Sequence, residues 1–127
     1  VKLGIAPATI SPYVIKRTGE YGARELMLTG KRFNGDDAER FGLANRSVAK
    51  EKLDETAEET IKLLMTSGPD AMAACKELIY TISNKSSFEE SIDYTAKVIA
   101  DLRASKEGQE GMASFLEKRK PNWVNPK

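Results

Sequence analysis

Three features of this sequence predict a mostly helical chain that opens with one short strand. Apolar residues recur at three- and four-residue spacing through most of the chain beyond residue 50. Residues that start helices (Asn34, Ser86, and prolines at 12 and 69) alternate with glycines that stop them (Gly19, Gly30, Gly42). Strict alternation of apolar and other residues is confined to residues 1–5, where Val1, Leu3 and Ile5 would share one face of a strand that Pro7 ends.

Pro12, which lacks an N–H that a first helical turn would leave unpaired anyway, opens a helix with Ile10, Val14 and Ile15, and Gly19 stops it. A second short helix from about residue 20 carries Ala23, Leu26 and Met27 to Gly30. A third starts from Asn34 as N-cap, with Asp36 and Asp37 favoured by the dipole of its first turn, and ends at Gly42. Helices this short are marginal alone, so packing must hold them. Residues 43–49 read as an extended stretch. Leu53, Ala57, Ile61 and Leu64 then form the stripe of an amphipathic helix whose other face carries the acids between Glu51 and Glu59. After the Ser67-Gly68-Pro69 break, Met72, Cys75, Ile79 and Ile82 make another stripe, which places Cys75 in a core. Ser86 with Glu89 fits a capping box for a helix bearing Phe88, Ile92, Thr95, Ile99 and Leu102. A last helix from Lys106 presents Met112, Phe115 and Leu116 before Lys118, Arg119 and Lys120 and a stop at Pro121.

The 127 residues contain 20 Lys+Arg and 19 Asp+Glu, a formal net charge of +1 that argues against wholesale binding of nucleic acid or a membrane surface. A chain this size buries roughly two-thirds of its unfolded surface, so one domain is expected. No apolar run reaches the roughly 18 residues of a membrane span, and the N-terminus lacks a signal-peptide pattern, which reads as a cytoplasmic protein. Beginning at Val1 inside an apolar alternation, the chain reads as a piece of a longer one. The absence of histidine removes Ser-His-Asp and Cys-His catalysis and the commonest zinc ligand, and a single cysteine forms no internal disulfide. No metal site is expected.

General acid/base work would fall to carboxylates, and the best placed are Glu107 and Glu110 beside Gly108 and Gly111, where a first-turn dipole role is the simpler reading. No phosphate-binding glycine loop is present. The basic run 118–120, next to Phe115 and close to Trp123, could hold a phosphorylated nucleotide, the cations taking phosphate and a ring lying against a base; it could equally complement a helix C-terminus.

Four segments together resemble the crotonase (enoyl-CoA hydratase/isomerase) family. They are Val1-Lys2-Leu3-Gly4-Ile5-Ala6-Pro7-Ala8-Thr9-Ile10-Ser11-Pro12, Leu26-Met27-Leu28-Thr29-Gly30-Lys31-Arg32-Phe33, Asp37-Ala38-Glu39-Arg40-Phe41-Gly42-Leu43-Ala44-Asn45, and Glu110-Gly111-Met112-Ala113-Ser114-Phe115-Leu116-Glu117-Lys118-Arg119-Lys120-Pro121. The resemblance implies the C-terminal helical part of a larger α/β enzyme, a single domain over residues 1–127 in which 1–49 end the core region and 50–127 form a helical oligomerisation region. It implies an acyl-CoA thioester as substrate, held by backbone N–H groups that stabilise an enolate, with coenzyme A only as part of the substrate and no other cofactor. It implies water addition by two glutamates, both upstream of residue 1, the second directly before Val1. No catalytic residue is therefore assigned to this chain.

By the same resemblance Pro7 and Ala8 border the acyl pocket, and Phe115 and Lys118 reach the adenine and phosphate end of coenzyme A from a neighbouring subunit. Trimers or hexamers are implied for the full-length protein, with the Phe88–Leu102 stripe at the contacts. Ala8 and Thr9 stand where many enoyl-CoA hydratases carry a glycine-rich turn, a wording closer to branched-chain glutaconyl-type hydratases. Isomerase, decarboxylase and hydrolase chemistry occur on the same fold, and hydration is the leading reaction. The alternative is a stand-alone helical protein-interaction module. An autonomous enzyme using Glu107 and Glu110 is the third reading.

Overall fold

The computed structural model describes residues 1–84 and 87–124. Six α-helices occupy most of the chain: α1 (Ser11–Thr29), α2 (Gly35–Arg40), α3 (Leu53–Met65), α4 (Pro69–Asn84), α5 (Phe88–Ala104) and α6 (Lys106–Leu116), with a 3-10 turn at Lys50–Lys52 leading into α3. The chain divides into two compact units, Val1–Thr56 and Ala57–Lys127. None of the described helices is long and apolar enough to cross a membrane.

In the first unit the expected N-terminal strand is a turn. The Gly4 N–H donates to the Val1 carbonyl at 2.9 Å, and no strand occurs among the described residues. A strand needs a neighbour to pair with, and here the alternating apolar residues line a groove instead. The two short helices expected on either side of Gly19 form one element, α1, broken at that residue. Gly19 lies at φ 66°, ψ 173°, a conformation open to glycine and closed to residues with a Cβ, so the break falls where the sequence placed the stop. Ala23 and Leu26 of α1 are the buried apolar side chains among the described residues, at 5% and 8% exposure. Asn34 caps α2 as expected, its Oδ1 accepting the Asp37 N–H at 3.0 Å. The stretch after α2 is irregular. It is tied down by the Arg17 guanidinium donating to Asn45 Oδ1 at 3.0 Å and by the Ser47 N–H donating to Glu39 Oε2 at 2.6 Å.

In the second unit α4, α5 and α6 pack on one another. The capping box of α5 sits one residue beyond its expected place: Ser86 lies outside the described residues, and Ser87 accepts the Glu90 N–H at 3.3 Å while Glu90 accepts the Ser87 N–H at 2.8 Å. Hydrogen bonds to the carboxyl from the Ser87 backbone N–H foremost, and from the Ser87 side chain, hold Glu90 below the ordinary carboxylate range. Ser105 closes α5 and opens α6, its hydroxyl donating to the Leu102 carbonyl at 2.7 Å and accepting the Gly108 N–H at 2.9 Å. The corner is so tight that a Cβ on Gly108 would stand 2.0 Å from the Leu102 carbonyl oxygen. Much of the apolar periodicity faces outward within this chain, Phe88 at 79% exposure and Ile61, Ile79, Ile92 and Ile99 among the rest. Cys75, expected in a core, is exposed: helical spacing puts it on an apolar stripe but does not supply the neighbour that would cover it.

Candidate functional site

The first feature of note is an apolar groove within the first unit, with a volume of about 420 Å3. Leu3, Ile5 and Pro7 of the N-terminal segment form one wall, and Leu26 and Met27 of α1 with Phe33 form another. Every side chain lining it is hydrocarbon or thioether, so it can take an aliphatic chain and offers no group that moves a proton. Of the two pocket residues expected here, Pro7 lines the groove and Ala8 does not. Ala8 turns the chain into α1, its N–H donating to the Ala6 carbonyl at 2.8 Å and its own carbonyl accepting the Ser11 hydroxyl at 2.8 Å.

The second feature is the end of α6, in the second unit, which brings Phe115 and Lys118 together. The Lys118 N–H donates to the Phe115 carbonyl at 3.2 Å and the Arg119 N–H to the Ser114 carbonyl at 3.0 Å, the bond pair of a Schellman stop. The residue at the turn of that motif is usually glycine; here it is Lys118 at φ 55°. A side chain there costs roughly 1–2 kcal/mol. Phe115 is 82% exposed, and no carboxylate lies within ion-pair distance of the Lys118 ammonium among the described residues. An exposed ring and, three residues on in the chain, a cation with no carboxylate partner among the described residues are the two kinds of group that a ligand carrying an aromatic base and phosphate requires.

The basic run does not act as a trio. Arg119 is taken up by its own chain: Nη1 and Nη2 donate to the two oxygens of Glu110 at 2.6 and 2.9 Å, and Nε donates to Glu117 at 2.6 Å. Glu110 Oε1 also accepts the Asn122 N–H at 3.0 Å. Hydrogen bonding from Arg119 chiefly, with Asn122 adding, holds the Glu110 carboxyl below its usual range, and the same contacts raise the affinity of Arg119 for its proton. Glu107, three residues earlier, accepts the N–H groups of Asp70 and Ala71 at 3.0 and 2.8 Å and so caps the N-terminus of α4. Both acids singled out as acid/base candidates are thus structural. Glu107 stands in the first turn of α6, as the simpler reading expects, and its carboxylate also caps the neighbouring α4.

Sequence reasoning missed the Glu110–Arg119 pair, because a separation of nine residues matches no helical spacing and depends on the turn at Lys118. It also missed the tail beyond it, where the Trp123 indole N–H donates to the Thr66 carbonyl at 3.2 Å.

Compared with known proteins, residues 1–126 match the family model described as enoyl-CoA hydratase/isomerase. The chain is 34% identical to a carnitinyl-CoA dehydratase of Proteus mirabilis, covering 96% of this chain and 48% of that protein. It is also 34% identical to a mevalonyl-coenzyme A hydratase of Aspergillus fumigatus, covering 97% and 46% respectively. Among solved structures, Pseudomonas aeruginosa AtuE superposes with a TM-score of 0.83 at 37% identity, over 98% of this chain and 48% of that one. The chain spans less than half the length of these relatives.

Proposed function

From the premise that the chain belongs to the enoyl-CoA hydratase/isomerase family, we propose that it is the acyl-CoA-binding C-terminal part of an enzyme that hydrates 2-enoyl-CoA thioesters, and that it is inactive alone. The observation that carries this reading is that the stop of α6 carries, three residues apart, an exposed ring at Phe115 and an ammonium at Lys118 with no carboxylate partner among the described residues. Phe115 lies against the adenine of coenzyme A and Lys118 takes a phosphate. In the other unit the charge-free groove bordered by Pro7 receives acyl chain, and Ala8 acts by setting the turn that places Pro7. Two relatives whose names specify a dehydratase and a hydratase of CoA thioesters support water addition or removal as the reaction. The catalytic glutamates and the oxyanion hole are supplied from outside these residues, and coenzyme A enters as part of the substrate.

Calorimetric titration of coenzyme A into the chain tests this. Phe115→Ala and Lys118→Ala should each weaken binding, the lysine by about two- to five-fold, the range of an exposed ion pair. Unchanged affinity in both variants would refute the assignment. Crotonyl-CoA mixed with the chain should keep its enoyl absorbance, and steady hydration by the isolated chain would show that the chemistry lies within it.

A second reading, a helical interaction module, is favoured by one observation: Ile79, Ile82, Ile92, Ile99 and Leu102 line an open apolar groove of about 820 Å3 between α4 and α5. The two readings part on whether coenzyme A perturbs the spectra of Phe115 and Lys118. We assign this groove to contact between copies of the chain, in keeping with an oligomeric enzyme.

A further inference from the structure

The segment after α6 is fastened more heavily than a helix end needs. A left-handed lysine forms the stop, and the chain beyond it is tied back at three places: Arg119 to Glu110 and Glu117, the Asn122 N–H to the same Glu110 carboxylate, and the Trp123 indole to the Thr66 carbonyl. The Trp123 ring also closes over Gly111, where an added Cβ would meet it at 3.2 Å. Two of the three ties converge on one carboxylate, so Glu110 holds the chain one residue and four residues beyond Lys118 at once. Arg119 has its guanidinium engaged by two carboxylates, and its Nη1 is also within 3.3 Å of the Lys120 carbonyl. It is turned toward its own chain and not toward a ligand phosphate.

We propose that Glu110 and Arg119 are positioning residues for Lys118: their forked ion pair fixes the left-handed turn from which the lysine ammonium, three residues beyond Phe115 in the chain, reaches the phosphates of a coenzyme A thioester. This rests on the reading of Lys118 given above and adds that the neighbouring acid is required for anion binding although its charge opposes it. Electrostatics alone gives the opposite sign. Removing the Glu110 charge next to an anion site, and releasing the Arg119 guanidinium, should tighten coenzyme A if nothing but charge mattered.

The experiment is calorimetric titration of coenzyme A into the chain and into Lys118→Ala, Glu110→Gln and the double variant. Lys118→Ala should weaken binding about two- to five-fold, Glu110→Gln should weaken it by a similar factor, and Glu110→Gln should cause no further loss when Lys118 is already alanine. Unchanged or tighter binding by Glu110→Gln overturns the positioning role. Equal weakening in both backgrounds also overturns it, since that marks a general loosening of the chain. Arg119→Lys, which keeps the charge and loses the fork, should weaken binding as Glu110→Gln does, and native affinity in that variant counts against the proposal. Lys118→Ala with native affinity would instead overturn the reading on which the proposal rests, so the two failures are told apart.

Discussion

Replacing Lys118 by glycine should stabilise the protein while weakening its hold on coenzyme A. The lysine sits at φ 55° at the turn of the α6 stop, where its Cβ crowds the backbone. Relief of that crowding is worth roughly 1–2 kcal/mol, and the greater freedom of glycine in the unfolded chain takes back about 0.5–1 kcal/mol. The net gain is about 0.5–1 kcal/mol, which for a chain of 127 residues moves the melting temperature up by roughly 2–4 °C. Lys118→Ala is the control, because alanine keeps the Cβ and should leave the melting temperature nearly unchanged. Thermal melts followed by circular dichroism, with coenzyme A titrations on the same samples, measure both sides. A glycine variant that melts at or below the native temperature while the alanine variant is neutral would refute the strained-turn argument. A glycine variant that is stabilised and still binds coenzyme A at native affinity would mean the lysine is kept there for some purpose other than this ligand.

Other outcomes follow from the same geometry. Gly108→Ala forces a Cβ onto the Leu102 carbonyl at the α5–α6 corner and should destabilise by about 1–3 kcal/mol, read from urea midpoints; a native midpoint would mean the corner is looser than described. Glu90 and Glu110 are stronger acids folded than unfolded, so the stability they contribute is complete above the ordinary carboxylate value of 4.5 and is lost as the pH falls through their lowered folded values. Urea midpoints should therefore decline below about pH 4.5, and Glu110→Gln should flatten that decline; an unchanged acid limb would argue against the Arg119 pair. Aspartates in place of Ile92 and Ile99 put charge into the α4–α5 groove and should shift sedimentation toward the monomer, whereas an unaltered distribution would exclude this face from assembly.

What the sequence conveyed was local. Asn34 and Gly30 set helix ends through bonds spanning three or four residues, Gly19 marks the break inside α1, and such local signals follow from spacing and residue type alone. The N-terminal alternation misled because the pattern specifies a face and not the partner that covers it: Val1, Leu3 and Ile5 have no strand beside them among the described residues and turn to a groove. Cys75 misled for the same reason: it lies on an apolar stripe and is exposed within this chain. At the candidate site, the resemblance singled out Phe115, Lys118, Pro7 and Ala8; of the last two, Pro7 lines the groove and Ala8 sets the turn into α1. The ties that organise the site, Glu107 to a helix start 37 residues earlier and Glu110 to a guanidinium nine residues later, depend on tertiary approach that no periodicity carries.

The groove beside Pro7 contains no donor, acceptor or charge among its side chains. On the reading proposed above, in which this groove receives acyl chain, its side chains would choose among acyl groups by length alone. Each methylene it covers adds about 0.8 kcal/mol, close to a four-fold preference, and a hydroxyl or a cation placed there would find no side-chain partner to replace the water it loses. A surface of this kind ranks a homologous series of acyl chains in small, even steps, and leaves any sharp choice between functional groups to residues elsewhere in the assembled pocket.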